Sequence, residues 1–251
     1  MIAMDNGLET SKLESGVGAP EASACGRLSA VTARIAQAAA EAGREPATVR
    51  LLAVSKTFGA AAVRDLAACG QSEFGENYLQ EALDKQAQLR DLSLVWHFIG
   101  PIQSNKTRAI AENFSWVHSI DRQKIAERLS AQRPSGLPPL QVCIEVNVSG
   151  EASKGGVALD ELPVLAGIVE KLPGLKLRGL MAIPAPTLEQ SAQREGFRRV
   201  QEQFNALCAL GHRLDTLSMG MSADLEAAIL QGATIVRIGT ALFGERTKKN
   251  A

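Results

Sequence analysis

Short apolar runs and amphipathic stretches alternate along this chain with little interruption. The apolar runs are "RLLAVSK", "SEFGEN", "LVWHFIG", "SWVHSID", "LQVCIEVNV", "LKLRGLMAI", "TLSMGM" and "TIVRIGTALFG". Runs this short suit strands covered on both faces, as in a parallel sheet. Between them the spacing predicts helices over about 60–69, 78–90, 104–113, 122–132, 159–171, 189–210 and 223–231. A further helix, Gly26 to Gly43, precedes the first strand, with Leu28, Val31, Ile35 and Ala38 on one stripe and Gly43 as its stop. Strands alternating with helices call for a parallel sheet. Eight such units in one uninterrupted span predict a closed (β/α)8 TIM barrel with an extra N-terminal helix. An open doubly wound sheet is the competing arrangement. Residues 1–22 are small, polar and without period, and read as a flexible extension. The barrel domain is expected over residues 23–246, with the Pro-rich stretch 133–140 as a loop before the fifth strand.

One stretch breaks its own pattern. "LLAVSKTF", Leu51 to Phe58, runs four apolar residues directly into Ser55 and Lys56. Side chains alternate along a strand, so Leu52, Val54 and Lys56 share a face. Either that face is interior and Lys56 is a desolvated amine able to attack carbonyls, or the strand stops early and Lys56 reaches solvent. In a barrel the strand C-termini form the site. Asn77, Asn147, Ser218 and Arg237 are expected at the same level, near the ends of strands two, five, seven and eight.

Composition removes several classes of function. Lys+Arg and Asp+Glu balance at 27 each, so the net charge gives no reason to expect a nucleic-acid or membrane partner. Aromatics at 4% are too few for a single-strand stacking platform. No apolar run is long enough to span a membrane, and no secretory pattern opens the chain. Cys25, Cys69, Cys143 and Cys208 are scattered, form no metal-type pair, and read as small buried apolar residues in a reducing compartment. A cytoplasmic protein is expected.

The stretch "LSMGMSADLEAAILQGATIVRIGTALFG", Leu217 to Gly244, is the richest in chemistry. Gly220, Met221 and Ser222 close strand seven, and Ser222 is placed to cap a helix carrying Asp224 and Glu226 in its first turn. Such a helix start attracts anions. Gly239 and Thr240 end strand eight, where glycine lets a ligand approach the backbone. The loops after strands seven and eight commonly hold phosphate in barrels. Capping and turn formation alone would also account for these residues. Arg237 shares a face with Ile235 and Gly239 and must find an acceptor, either a ligand or Glu145 on strand five. His97 is expected as a hydrogen-bonded core residue, Lys106 as solvated and Tyr78 as buried. His118 and His212 lack metal-ligand spacing, so no metal site is expected.

Taken together, "AVSKTF", "FGENYLQE", "WHFIGPIQSNK", "RGLMAIP" and the 217–244 stretch resemble the pyridoxal phosphate homeostasis protein family, from about Gly26 to Gly244. That family is related to the barrel of alanine racemase, the fold type III pyridoxal phosphate (PLP) proteins. The resemblance implies that Lys56 holds the aldehyde of PLP as a Schiff base. It implies that Ser222, Gly239 and Thr240 bind the phosphate and that Arg237 faces the pyridine nitrogen. Asn77 and Met221 complete the expected cofactor-binding set, and no catalytic residue is assigned.

An arginine at the ring nitrogen donates only, which weakens the ring as an electron sink. Related racemases add a second domain with a catalytic tyrosine, which is not expected here. The preferred reading is therefore a monomeric carrier that buffers PLP and passes it to PLP-dependent apo-enzymes. A PLP-dependent amino-acid racemase is the alternative. The residues without the resemblance would also permit a class I aldolase.

Overall fold

The computed structural model describes residues 23–148, 155–185, 187 and 189–244. The expected extension 1–22, the end of the expected domain at 245–246 and Ser149 lie outside the described residues. Eight parallel strands close into a barrel in chain order. They are β1 (Arg50–Val54), β2 (Glu73–Glu76), β3 (Val95–Phe98), β4 (Trp116–Ile120), β5 (Leu140–Glu145), β6 (Leu175–Met181), β7 (Thr216–Ser218) and β8 (Ile235–Ile238). Closure comes from β8 pairing with β1, with Leu52 beside Arg237. The open-sheet alternative is thereby excluded.

Helices fill the outer ring. They are α1 (Ala24–Glu41), α2 (Ala60–Ala68), α3 (Leu79–Gln88), α4 (Thr107–Asn113), α5 (Gln123–Gln132), α6 (Leu162–Glu170), α7 (Gln190–Ala209), α8 (Leu225–Leu230) and α9 (Thr240–Phe243). Their apolar stripes face the outer surface of the strands. Ile125, Ala126 and Leu129 of α5, and Leu162, Leu165, Ala166 and Val169 of α6, are all buried in that layer. The prefatory helix α1 is capped by Ser23, whose Oγ accepts from the Gly26 N–H. It packs on α8 and α9 through Val31, Ile35 and Ala38. Arg34 fastens it by donating to Glu226 and to the Ser222 carbonyl.

The structure shortens and corrects the sequence reading at several points. Every strand ends before its apolar run does, because the parallel ladder stops where the chain turns toward the next helix. Ser55, Lys56, Asn77 and Asn147 therefore lie just past β1, β2 and β5 rather than on them. The segment "TALF" is a helical turn, α9, not strand. Helix α8 starts at Leu225, and its cap is Asp224 rather than Ser222. Tyr78 is 57% exposed, not buried, because the chain turns outward at the entrance to α3.

Against the expectation of four buried, reduced cysteines, Cys25 is exposed and is disulfide-bonded to the half-buried Cys69, with their Cα atoms 5.2 Å apart. The pairing was invisible in the sequence because 44 residues separate them, and only packing of α1 beside α2 brings them together. Cys143 is free and buried, its thiol pushed up to about 12 by burial, and Cys208 is also free. Among the described residues no helix is long and apolar enough to cross a membrane.

Candidate functional site at the barrel mouth

A TIM barrel interior is usually filled by branched apolar side chains. Here the core splits along its axis. Leu52, Val54, Ile99 and Ile235 form an apolar cluster, while β3, β4, β7 and β8 contribute a polar chain across the middle. His97 Nδ1 lies 2.9 Å from His118 Nε2, and His118 Nδ1 lies 2.8 Å from Ser218 Oγ. Arg237 Nη1 donates to Ser218 Oγ at 2.9 Å and to its carbonyl at 2.5 Å, while Nη2 donates to the Ala182 carbonyl at 3.0 Å. His97 is thus a hydrogen-bonded core residue, as expected.

Burial is the main force on these groups. It holds His97 and His118 well below the ordinary histidine value, with neighbouring positive charge adding to the effect. It lowers Arg237 to about 10, opposed by the negative charge of Glu145 and Asp224. Arg237 therefore stays cationic at neutral pH. Its hydrogen bonds go to Ser218 and Ala182, and Glu145 acts on it through space rather than by the direct pairing that was one option. Burial likewise raises the Glu145 carboxyl, with Asp121 adding repulsion.

Above this layer a cavity of about 160 Å³ opens at the C-terminal ends of the strands. Val54, Lys56, Asn77, Met221, Arg237, Gly239 and Thr240 are among its lining residues. Six of the seven candidates chosen from sequence therefore meet at one opening. Ser222 is not among the lining residues; it follows Met221 and turns its carbonyl to Arg34. Ser218 lies beneath the cavity, holding Arg237. Lys106 is exposed.

Two glycines shape this opening. A Cβ on Gly100 would sit 2.3 Å from the Asn77 carbonyl, so only glycine lets the end of β3 approach the turn that presents Asn77. The Asn77 Oδ1 is itself buried with no hydrogen-bond partner among the described residues. At Gly239 a Cβ would meet nothing closer than the Val54 carbonyl at 3.4 Å. Packing does not demand glycine there, and its missing side chain leaves room on the cavity wall.

Sequence reasoning missed the apolar part of the lining. Phe58, Ile99 and Ile183 complete it, and Phe58 stacks on Phe243 with ring centroids 4.9 Å apart. Nothing in their spacing marks them, since each looks like an ordinary core residue. The reading also passed over Glu76, Glu81 and Lys85, which surround the backbone on either side of Lys56. Glu76 and Glu81 do fall within "FGENYLQE", yet their convergence on Lys85 needs the fold.

The barrel carries an amine, a fixed guanidinium and a glycine-lined wall at its mouth, and its sequence places it in the alanine racemase barrel class. The sequence model described as alanine racemase, N-terminal domain, matches residues 27–247. The pyridoxal phosphate homeostasis protein of Pseudomonas aeruginosa is 68% identical over 216 residues, covering 86% of this chain and 93% of that protein. The protein of that name from Escherichia coli K12 is 52% identical over 222 residues, covering 87% and 95%. The solved structure of PipY from Synechococcus elongatus with PLP bound is 36% identical, with a TM-score of 0.78, covering 88% of this chain and all of that one. The chain belongs to the pyridoxal phosphate homeostasis protein family.

Proposed function

We propose that this protein binds pyridoxal 5′-phosphate through a Schiff base on Lys56 and buffers it as part of intracellular PLP homeostasis. The observation that carries this reading is the convergence of Lys56, Asn77, Arg237, Gly239 and Thr240 on one cavity. The donor set suits the group. An amine meets the aldehyde, with loss of water; a cation with donors only meets a ring acceptor; and hydroxyl and glycine backbone meet the phosphate. The unpartnered Asn77 Oδ1 is a further polar atom ready for a ligand. When bound, PLP supplies an electrophilic carbon and an electron-poor ring.

The chain's own residues restrain that chemistry. Arg237 is cationic and offers no acceptor, so it favours a ring nitrogen without a proton and a weak electron sink. A racemase also needs an acid and a base on opposite faces of the substrate carbon. Tyr78, the only tyrosine, is exposed and is not among the lining residues. The relatives are named for homeostasis, not for a reaction. Ile183 and Met221 are exposed at the rim, which suits cargo passed on to apo-enzymes.

Borohydride reduction of the PLP-loaded protein, followed by peptide mapping, should place the label on Lys56. A label on Lys106, or on no lysine, would sink the idea. In heavy water, α-proton exchange of alanine or serine should not exceed the rate with free PLP. Enzyme-like exchange that disappears in Lys56→Ala would establish the racemase reading instead.

A further inference from the structure

Thr57, the residue after Lys56, is the one non-glycine residue at positive φ among the described residues, at 71°. A β-branched residue rarely adopts this conformation, and it persists only where the surroundings impose it. The surroundings here are ionic. Lys85 of α3 is 3% exposed, and its ammonium donates to Glu76 Oε1 at 2.6 Å, Glu81 Oε1 at 2.7 Å and the Ser55 carbonyl at 2.7 Å. The three donors of the ammonium are thus all engaged. Glu76 is fully buried and also accepts from Ser55 Oγ at 2.5 Å. Glu81 Oε1 accepts the Thr57 N–H at 2.6 Å.

The residues flanking Lys56 are therefore held from the same side by three atoms: the Ser55 carbonyl, the Ser55 hydroxyl and the Thr57 amide. Desolvating an ammonium and a carboxylate is costly, and packing alone could have been served by apolar residues. Such an arrangement beside a strained residue points to positioning rather than to bulk stability.

We propose that Lys85, with Glu76 and Glu81, forms a clamp that holds Ser55–Thr57 in its strained conformation and so aims the Lys56 amine into the cavity. This rests on the reading of Lys56 as the PLP-bearing amine. These are positioning residues: none is among the cavity-lining residues. Glu81 is the member to test, because its side chain is 31% exposed and sits in the first turn of α3, where alanine is well tolerated.

The test uses Glu81→Ala in the full-length protein, with two readouts. Amide hydrogen exchange at Thr57, measured without cofactor, should rise roughly tenfold or more, the scale of a lost charged hydrogen bond. PLP trapping at Lys56, titrated at equilibrium, should need on the order of tenfold more PLP, while the thermal midpoint of the cofactor-free fold changes little. Glu81→Gln, which keeps an acceptor oxygen, should lie between. Adding Thr57→Gly to Glu81→Ala should recover most of the lost affinity, since glycine adopts positive φ without strain.

Unchanged exchange and unchanged trapping in Glu81→Ala overturn the proposal. So does a loss of affinity that follows the thermal midpoint and that Thr57→Gly does not rescue. If wild-type trapping maps to another lysine, the reading of Lys56 fails by itself. The Thr57 exchange still decides separately whether the clamp holds this segment.

Discussion

The two ends of the barrel are both rich in charge, yet only one is built to receive a ligand. At the N-terminal end Arg50 and Arg178 lie over the Trp116 ring, 4.8 and 4.9 Å from its centroid. Arg178 also donates to Asp215 at 2.6 and 2.9 Å and to Gln141 at 2.8 Å, and His97 stacks on Trp116 with rings 5° from parallel. Charge there is spent on charge, ring and amide, and the end is plugged. At the C-terminal end a cavity opens, the Asn77 Oδ1 lacks a partner and Thr57 is strained. Charge density does not separate a site from a seal. An open cavity and stored strain do.

The largest effect expected from breaking this contrast is at the plug. Trp116→Ala removes a buried ring that two guanidinium groups cover, and should cost about 3–5 kcal/mol in denaturant unfolding. PLP binding by the folded fraction should stay close to wild type. A parallel loss of binding affinity would show that the two ends are not independent.

The polar chain joining the two ends should respond to acid. His97 and His118 are held neutral in the fold, well below 6.5. The unfolded chain therefore binds more protons than the folded one once pH falls below that value. Their contribution to stability is present above pH 6.5 and is lost as pH falls. Each histidine should add a slope of about 1.4 kcal/mol per pH unit there. Urea titrations at descending pH measure this, and His118→Gln should remove about half of the histidine slope. A slope unaltered by that substitution would assign the acid sensitivity to other groups.

Smaller effects sharpen the comparison. An added carboxylate beside the proposed phosphate wall should repel the anion, so Ser222→Asp should weaken PLP binding about tenfold. Ser115→Asp, exposed at the plugged end just before β4, should leave binding unchanged. Equal effects at both positions would move the cradle away from Ser222, which is not among the lining residues. The smallest effect is expected at the unpartnered amide. Asn77→Leu should leave the cofactor-free fold as stable or more stable by up to ~1 kcal/mol, while weakening PLP binding several-fold. A destabilised fold with unchanged binding would show that Asn77 serves the scaffold.

What the sequence determined by itself was the order of elements and most of the polar lining of the mouth cavity. Eight apolar runs separated by helical periods leave few ways to bury both faces of every strand, and a barrel in chain order is the simplest of them. Arg237 stands out as a charge inside an apolar run and Met221 only by its place between Gly220 and Ser222, while Lys56, Asn77, Gly239 and Thr240 are polar or glycine residues at the junction where a strand ends. That junction is also where parallel strands open onto the mouth.

The tertiary structure decided whatever depends on partners distant along the chain. The Cys25–Cys69 bond, the chain from His97 to Arg237 and the grip of Glu76, Glu81 and Lys85 on Ser55–Thr57 each join different elements. Periodicity reports which face of its own element a residue occupies, not what stands opposite. Lys85 shows the difference most clearly. In sequence it is one more charge on an amphipathic helix, and only the closed barrel buries it beside Lys56, because α3 packs across the mouth-side ends of β1 and β2.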